Sequence, residues 1–367
     1  MKIGIDASRA FLRNRTGIEE YAYRVIEHLR DPLRDEQVTL YVRPGYRPDF
    51  GFPAGWVLKE LSAPRFWTHG RLSVEMLLHP PDVLFVPAHT VPLIHPRRSV
   101  VTVHGLEYEF SKRSYSRWER FYMRAVIRFS CRAAETVIAV SENTKRDLIR
   151  LYGVPEERIS VIYEGKPEKN HGSGIGNHEE KTGSGNESGS PYLLFVGRIE
   201  ERKNVRRIVE AFDILKARHG IPHRLVLVGR PGYGYGDAKA AISRSAYRSD
   251  IVERGYVAED EKTSLLSGAD VFVFPSLYEG FGLPIVEAQA AGIPVVASDT
   301  SSLPEIGGSG ALYVDPLSPE SIAEGIWNVL SEPGLRDDIL RKGRENAERF
   351  RWERCAADIA AVLSGRR

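Results

Sequence analysis

Short, almost wholly apolar runs recur along this chain, each followed by a longer stretch of helical periodicity, and the whole pattern appears twice. In the first half the runs are 3–6, 38–42, 83–86, 99–103 and 136–140, with helical stretches such as 19–29 and 117–134 between them. In the second half they are 193–197, 225–228, 251–255, 271–274 and 295–298, separated by helices such as 205–218 and 262–268. A strand that is apolar on both faces must be covered on both, and a parallel sheet sandwiched by helices does this. The alternation therefore predicts an α/β chain of two successive doubly wound, Rossmann-like domains. Between the halves, 166–190 is Gly, Ser, Asn, Lys and Glu with almost no apolar residue. Such a stretch cannot bury enough surface to offset its ordering entropy, so a flexible linker or insertion is expected there. The domains expected are 1–165 and 191–349. The last segment, 333–363, reads as helical throughout, with 350–367 crossing back onto the first domain.

Bulk properties exclude several classes. The 367 residues, 42% hydrophobic and 27% charged, suit two domains of ordinary size. With 51 basic and 49 acidic residues the net charge is only +2, so overall charge gives no reason to expect a nucleic-acid partner. Cys131 and Cys355 lie far apart in helical stretches, which argues against a disulfide framework and fits a reducing cytoplasm. Residues 1–6 lead straight into a strand with no secretory pattern, and no apolar run approaches the ~20 residues of a membrane span. Any meeting with a membrane is expected to be peripheral, at its inner face.

The chemistry concentrates around 279–287. Glu279 and Glu287 lie eight positions apart, around a glycine-bearing loop that opens into a helix. Pro284 suits the first turn of that helix and Gly292 its end. Glu279 then falls in the loop and Glu287 about one turn in. Free amides around Phe281, Gly282 and Leu283 would favour phosphate or sugar oxygens. Two carboxylates able to grip vicinal diols suggest a sugar-nucleotide site; the plainer reading makes Glu287 a helix-dipole partner and Glu279 a solvated acid.

Further candidates sit at the ends of other strands. Arg198 and Lys203 flank the loop after 193–197, where a guanidinium fork and a point charge would hold a diphosphate. Three arginines in 9–15 precede Gly17, whose bare backbone would admit a phosphate. His104 follows the run 99–103 and would donate to a sugar hydroxyl or to developing charge, or else serve as a structural histidine. Ser141 reads as a helix N-cap. Arg117, Arg120, Arg124, Arg128 and Arg132 form a stripe along one helix, beside Trp118, Phe121, Tyr122 and Met123. That stripe suits anionic lipid or an anionic glycan, and equally a solvated face. No metal-binding register of histidines or carboxylates and no D-x-D pair suggests a divalent cation, so Arg198 and Lys203 would neutralise the leaving phosphates.

Taken together, these segments resemble a retaining glycosyltransferase of family 4, with the GT-B fold of two facing Rossmann-like domains. The most specific match is 279–287, the family's E-x7-E signature. The segments 197–204, 255–257, 269–276 and 350–354 also match, in order. The resemblance implies that Arg198 and Lys203 bind the donor diphosphate, Glu287 the ribose, Glu279 the transferred sugar, and that Val257 lies beside the base. It further implies that Gly17 faces the phosphates, that His104 lies near the sugar, and that transfer retains the anomeric configuration without a metal. Gly105 stands where the family often has aspartate after that histidine, which leaves an acceptor contact unassigned. A hexosyl donor such as GDP-mannose and a glycan or lipid-linked acceptor fit the family's bacterial members. Rival readings are a sugar-nucleotide epimerase or a phosphorylase of the same fold, and a non-catalytic glycan-binding scaffold. The glycines 232, 234 and 236 also raise a dinucleotide oxidoreductase, but Asp237 stands where the third glycine of that motif belongs.

Overall fold

The computed structural model describes residues 1–12, 15, 17–63, 65–110, 115–166 and 189–366. They form two compact units, one of Met1–Leu106, Arg117–Gly165 and Phe350–Arg367, the other of Glu107–Ser116 and Lys166–Arg349. The expected domain 1–165 therefore gives up Glu107–Ser116 to the second unit. The expected linker lies, except for its ends, outside the described residues.

The first unit carries a seven-stranded parallel sheet of β1 (Lys2–Asp6), β2 (Gln37–Val42), β3 (Trp56–Glu60), β4 (Val83–Val86), β5 (Ser99–Val103), β6 (Thr136–Ala139) and β7 (Ile159–Val161), in the order β3-β2-β1-β4-β5-β6-β7. The second carries six parallel strands: β8 (Tyr192–Val196), β9 (Arg224–Val228), β10 (Ile251–Gly255), β11 (Val271–Phe274), β12 (Val295–Ser298) and β13 (Ala311–Val314), in the order β10-β9-β8-β11-β12-β13. In each sheet the order reverses beside the first strand, between β1 and β4 and between β8 and β11. In open α/β sheets ligands gather at the carboxyl ends of such a switch point.

Three strands, β3, β7 and β13, are not among the runs expected from the sequence, and all three lie at sheet edges. An edge strand is covered less completely: β3 buries only Trp56 of its five residues. The inner strands are covered more completely; every residue of β4, β5, β6, β11 and β12 is buried. In the second unit, Phe195, Phe272 and Phe274 stack across β8 and β11, in one buried core with Phe212 of the helix Val205–His219. Each such ring contributes roughly 1.5–3 kcal/mol of burial.

The C-terminal stretch is two helices and not one. Pro333–Ala347 ends before the chain returns to the first unit, and Trp352–Leu363 begins there after an extended Arg351. No glycine or proline causes the break. Phe350 is fully buried edge-on to Tyr163, and Trp352 lies on Gly165, where a β-carbon would come within 2.4 Å of the indole. Burial of two aromatics in another unit overrides local helix propensity.

Candidate active site

Adjacent β8 and β11 pair in parallel, Val271 opposite Leu193 and Phe272 opposite Leu194. That register sets the loops that follow them side by side. After β8 the chain forms a short turn, Glu201–Lys203, and enters the helix Val205–His219 through Asn204, which has φ 63°. Asparagine tolerates this left-handed conformation. Its amide nitrogen donates to the carbonyls of Pro275 (2.9 Å) and Pro316 (2.7 Å), tying the loop to the end of β11.

One residue earlier, Lys203 turns inward. It is 8% exposed, its Nζ is 2.6 Å from Glu279 Oε1 and 4.7 Å above the Phe274 ring. Glu279, 7% exposed, receives a second cation at its other oxygen, Arg202 Nη1 at 2.8 Å. Burial alone would raise the Glu279 pKa, but the charges of Arg202 and Lys203 outweigh it and hold the carboxyl down at about 2. Burial pulls the Lys203 ammonium down, with Glu279 resisting. The backbone of Glu279 is pinned as well: its N–H donates to Ser301 Oγ (3.0 Å), and Ser302 Oγ donates to its carbonyl (3.0 Å) and to that of Phe281 (2.5 Å).

Gly282 caps the helix Leu283–Ala290 with φ 112°, and a β-carbon there would come 2.7 Å from the Leu303 side chain. Only glycine meets both demands. Of the first positions of this helix, Pro284 has no N–H and Ile285 N donates to the Gly282 carbonyl (2.9 Å), while a helix N-terminus carries partial positive charge that favours anionic or hydroxyl oxygens. Glu287 lies within the helix as expected, but it is paired: Lys262 Nζ stands 2.9 Å from Glu287 Oε1 and 2.9 Å from Glu259 Oε1. Val257 packs against the core just after β10, and beside it Tyr256 is exposed with the Arg230 guanidinium 4.5 Å over its ring.

Arg198 differs from Lys203 in being exposed, with no hydrogen bond or ion pair among the described residues. Its side chain passes across Gly232, where a β-carbon would lie 2.9 Å from Arg198 Nε, and Gly234 likewise abuts Glu201. These glycines make room for the 198–203 loop, which accounts for the run that suggested an oxidoreductase.

The first unit holds the other two candidates. Gly17 opens the helix Gly17–Leu29 and is exposed, with nothing within 4 Å of a notional β-carbon. Of the arginines before it, Arg9 pairs with Glu19 (3.4 Å) and Arg15 with Glu20 (2.7 Å); Arg13 lies outside the described residues. His104 corrects an expectation. Its Nε2 lies 2.8 Å from the Pro87 carbonyl and its Nδ1 3.3 Å from Glu164 Oε1, and its ring meets Tyr21 edge-on. Both nitrogens are taken by protein acceptors, so none remains for a sugar hydroxyl. Ser141 caps its helix as expected, accepting from Thr144 N at 3.0 Å.

The arginine stripe is also less free than its spacing implies. Arg128 donates to the Leu151 carbonyl (3.3 Å) and lies over the Tyr152 ring, while Arg120 and Arg124 have partners of their own. Beside the exposed Arg117, Arg128 and Arg132, the helix Arg117–Ala133 exposes aromatic side chains: Trp118 is 81%, Phe121 65% and Tyr122 58% accessible. Arg202 and Lys262 are the functional candidates that sequence reasoning missed. Their only signal is position, one beside a motif lysine and one 25 residues from the carboxylate it meets.

Two doubly wound parallel sheets, with a cation–carboxylate cluster at the switch point of the second, define a glycosyltransferase of the GT-B fold. Residues 15–166 match the family model described as Glycosyltransferase Family 4, and residues 177–346 the one described as Glycosyl transferases group 1. The chain belongs to glycosyltransferase family 4, and is by class a hexosyltransferase. It is 26% identical to the O-antigen chain mannosyltransferase B of Escherichia coli, over 93% of each chain. Its fold matches a sucrose-phosphate synthase from Thermosynechococcus elongatus (TM-score 0.74, 19% identity, 99% of this chain and 98% of that one). It also matches Anabaena HepE in complex with UDP-glucose (TM-score 0.72, 18% identity, 100% of each). Among the described residues no helix is long and apolar enough to cross a membrane.

Proposed function

We propose that this enzyme transfers mannose from GDP-mannose to a glycan or lipid-linked acceptor, with retention at the anomeric carbon and without a divalent cation. The observation that carries this reading is the Lys203–Glu279 pair at the β8/β11 switch point, with Arg198 unpaired on the same loop. Arg198 and Lys203 bind the donor diphosphate, and Glu279 the transferred sugar. The amides of Phe281, Gly282 and Leu283 add hydrogen-bond donors, Glu287 receives the ribose hydroxyls, and Val257 flanks the base. The bond from the anomeric carbon to the diphosphate breaks while the acceptor oxygen attacks from the same face, and the acceptor's proton passes to the departing phosphate. No protein base is needed, so stabilising the leaving charge is the main catalytic contribution. Mannose is supported by the mannosyltransferase relative, and the guanine nucleotide by the resemblance to the family's bacterial members. A lipid-linked acceptor, and a place at the inner face of the membrane, are supported by the exposed Trp118, Phe121 and Tyr122 beside Arg117, Arg120, Arg124 and Arg128.

A transfer assay with a panel of nucleotide sugars, with and without EDTA, tests the reading. GDP-mannose is expected to turn over with an α-configured product and no loss in EDTA, and Lys203→Ala to lose at least a hundredfold. Wild-type turnover by folded Lys203→Ala, or an inverted product, overturns it.

A further inference from the structure

Arg202 has no role assigned to it by the sequence, yet its guanidinium is the most heavily engaged cation on the 198–203 loop. Nη1 donates to the Tyr278 carbonyl (2.7 Å) and lies 2.8 Å from Glu279 Oε2, while Nη2 donates to Glu200 Oε1 at 2.7 Å. Its own carbonyl accepts from Leu277 N (2.8 Å). Arg202 thus bolts the 198–203 loop to 277–279 by backbone, side chain and charge together. Lys203 has Glu279 as its one anionic partner within the cluster.

We propose that Arg202 is a positioning residue: it fixes Glu279 in place and shares its charge, which leaves the remaining Lys203 donors for the sugar-nucleotide diphosphate. The inference rests on the roles given above to Lys203 and Glu279.

A carboxylate presents two oxygens, and here each takes one cation. An arginine fork anchored at three acceptors cannot follow a ligand, whereas a lysine is a flexible point charge with three donors. With Arg202 in place, Glu279 is satisfied without demanding all of Lys203. Without it, the same carboxylate is left with Lys203 alone, and an incoming diphosphate must compete for that ammonium against a buried counter-ion. Glu200 would lose its partner too. The other groups facing Arg202 come from Glu107–Ser116: Glu107, whose charge supports the guanidinium, and Tyr115, whose hydroxyl burial pushes up. The Arg202 pKa is raised, burial being outweighed by Glu279, Glu200 and Glu107, so it carries its charge at every working pH.

The test compares Arg202→Lys, Arg202→Gln and Lys203→Ala in the full chain by thermal melting, donor KM, kcat and the pH profile of kcat/KM. Both Arg202 variants are expected to raise donor KM about tenfold to a hundredfold, the worth of one charge-assisted hydrogen bond, with a smaller change in kcat. The acid limb of kcat/KM is expected to move toward neutral in Arg202→Gln, because Glu279 with one cation fewer takes up a proton more readily. In Arg202→Lys, which keeps the charge but not the fork, the limb moves less. A role in folding alone would lower the melting temperature and leave KM and the limb where they were. Where Arg202→Gln does not fold, Arg202→Lys decides. Folded Arg202→Lys with the wild-type donor KM, beside an inactive Lys203→Ala, overturns this inference and spares the donor-site reading. An active Lys203→Ala overturns that reading itself.

Discussion

The two sheets share a topology but treat charge in opposite ways at their carboxyl ends. In the second unit the switch point holds a buried, mutually neutralising cluster, with Lys203 and Arg202 on the two oxygens of Glu279. In the first, His104 is spent on Pro87 and Glu164, Arg15 and Arg9 are paired near the surface, and the outward feature is an aromatic helix face. A diphosphate presents the same charge in every turnover, so a site that assembles its charges beforehand saves reorganisation.

The largest effect should separate the two units outright. Arg198→Ala is expected to cut transfer by about a hundredfold or more with an unchanged melting temperature, since this exposed side chain has no structural partner. His104→Gln should do the reverse: kcat/KM for donor within about tenfold, but stability lower by roughly 1–3 kcal/mol, because Glu164 is left buried without its partner. A stable, inactive His104→Gln would erase the contrast and return the histidine to the chemistry.

Next comes pH. Glu279 titrates below its ordinary value in the folded protein, so its contribution to stability is fully present above about pH 5 and is lost as pH falls toward 2. The amount is up to about 3 kcal/mol. Acid titration followed by circular dichroism should show a shallower decline for Glu279→Gln than for wild type over that range. Equal slopes would mean that the cluster is not neutralised as the geometry has it.

The smallest effect on the fold should be at the aromatic face. Trp118→Ser with Phe121→Ser is expected to change stability by no more than about 0.5 kcal/mol. The same pair should abolish flotation with vesicles of anionic lipid. Unchanged flotation, or no flotation by wild type, removes the lipid surface from the account.

Much of this was legible in the sequence because it is local. Alternating apolar runs report strands covered on both faces, and ten of the thirteen strands show themselves this way. The three that do not are edge strands, two of them short or only partly buried: β7 has three residues, and β3 buries one of its five. Likewise Gly282, Pro284 and Gly292 mark the start and end of one helix, so Glu279 and Glu287 are placed correctly on either side of its first turn. The break at Glu348–Arg351 was not legible, since nothing in those residues disfavours helix; only the burial of Phe350 and Trp352 in the first unit ends it.

Spacing alone determined that this chain would build two parallel sheets and which loops would carry its charges, because backbone periodicity and turn chemistry act over a few residues. Which charges neutralise one another was decided by tertiary structure. Lys203 and Glu279 are 76 residues apart and meet because β8 and β11 are neighbours in the sheet. The same adjacency gives Arg202 its grip on Glu279, and only the folded loops show that the His104 nitrogens are already taken. Electrostatic partnership depends on separations of a few ångströms in space, and a sequence records only separations along the chain.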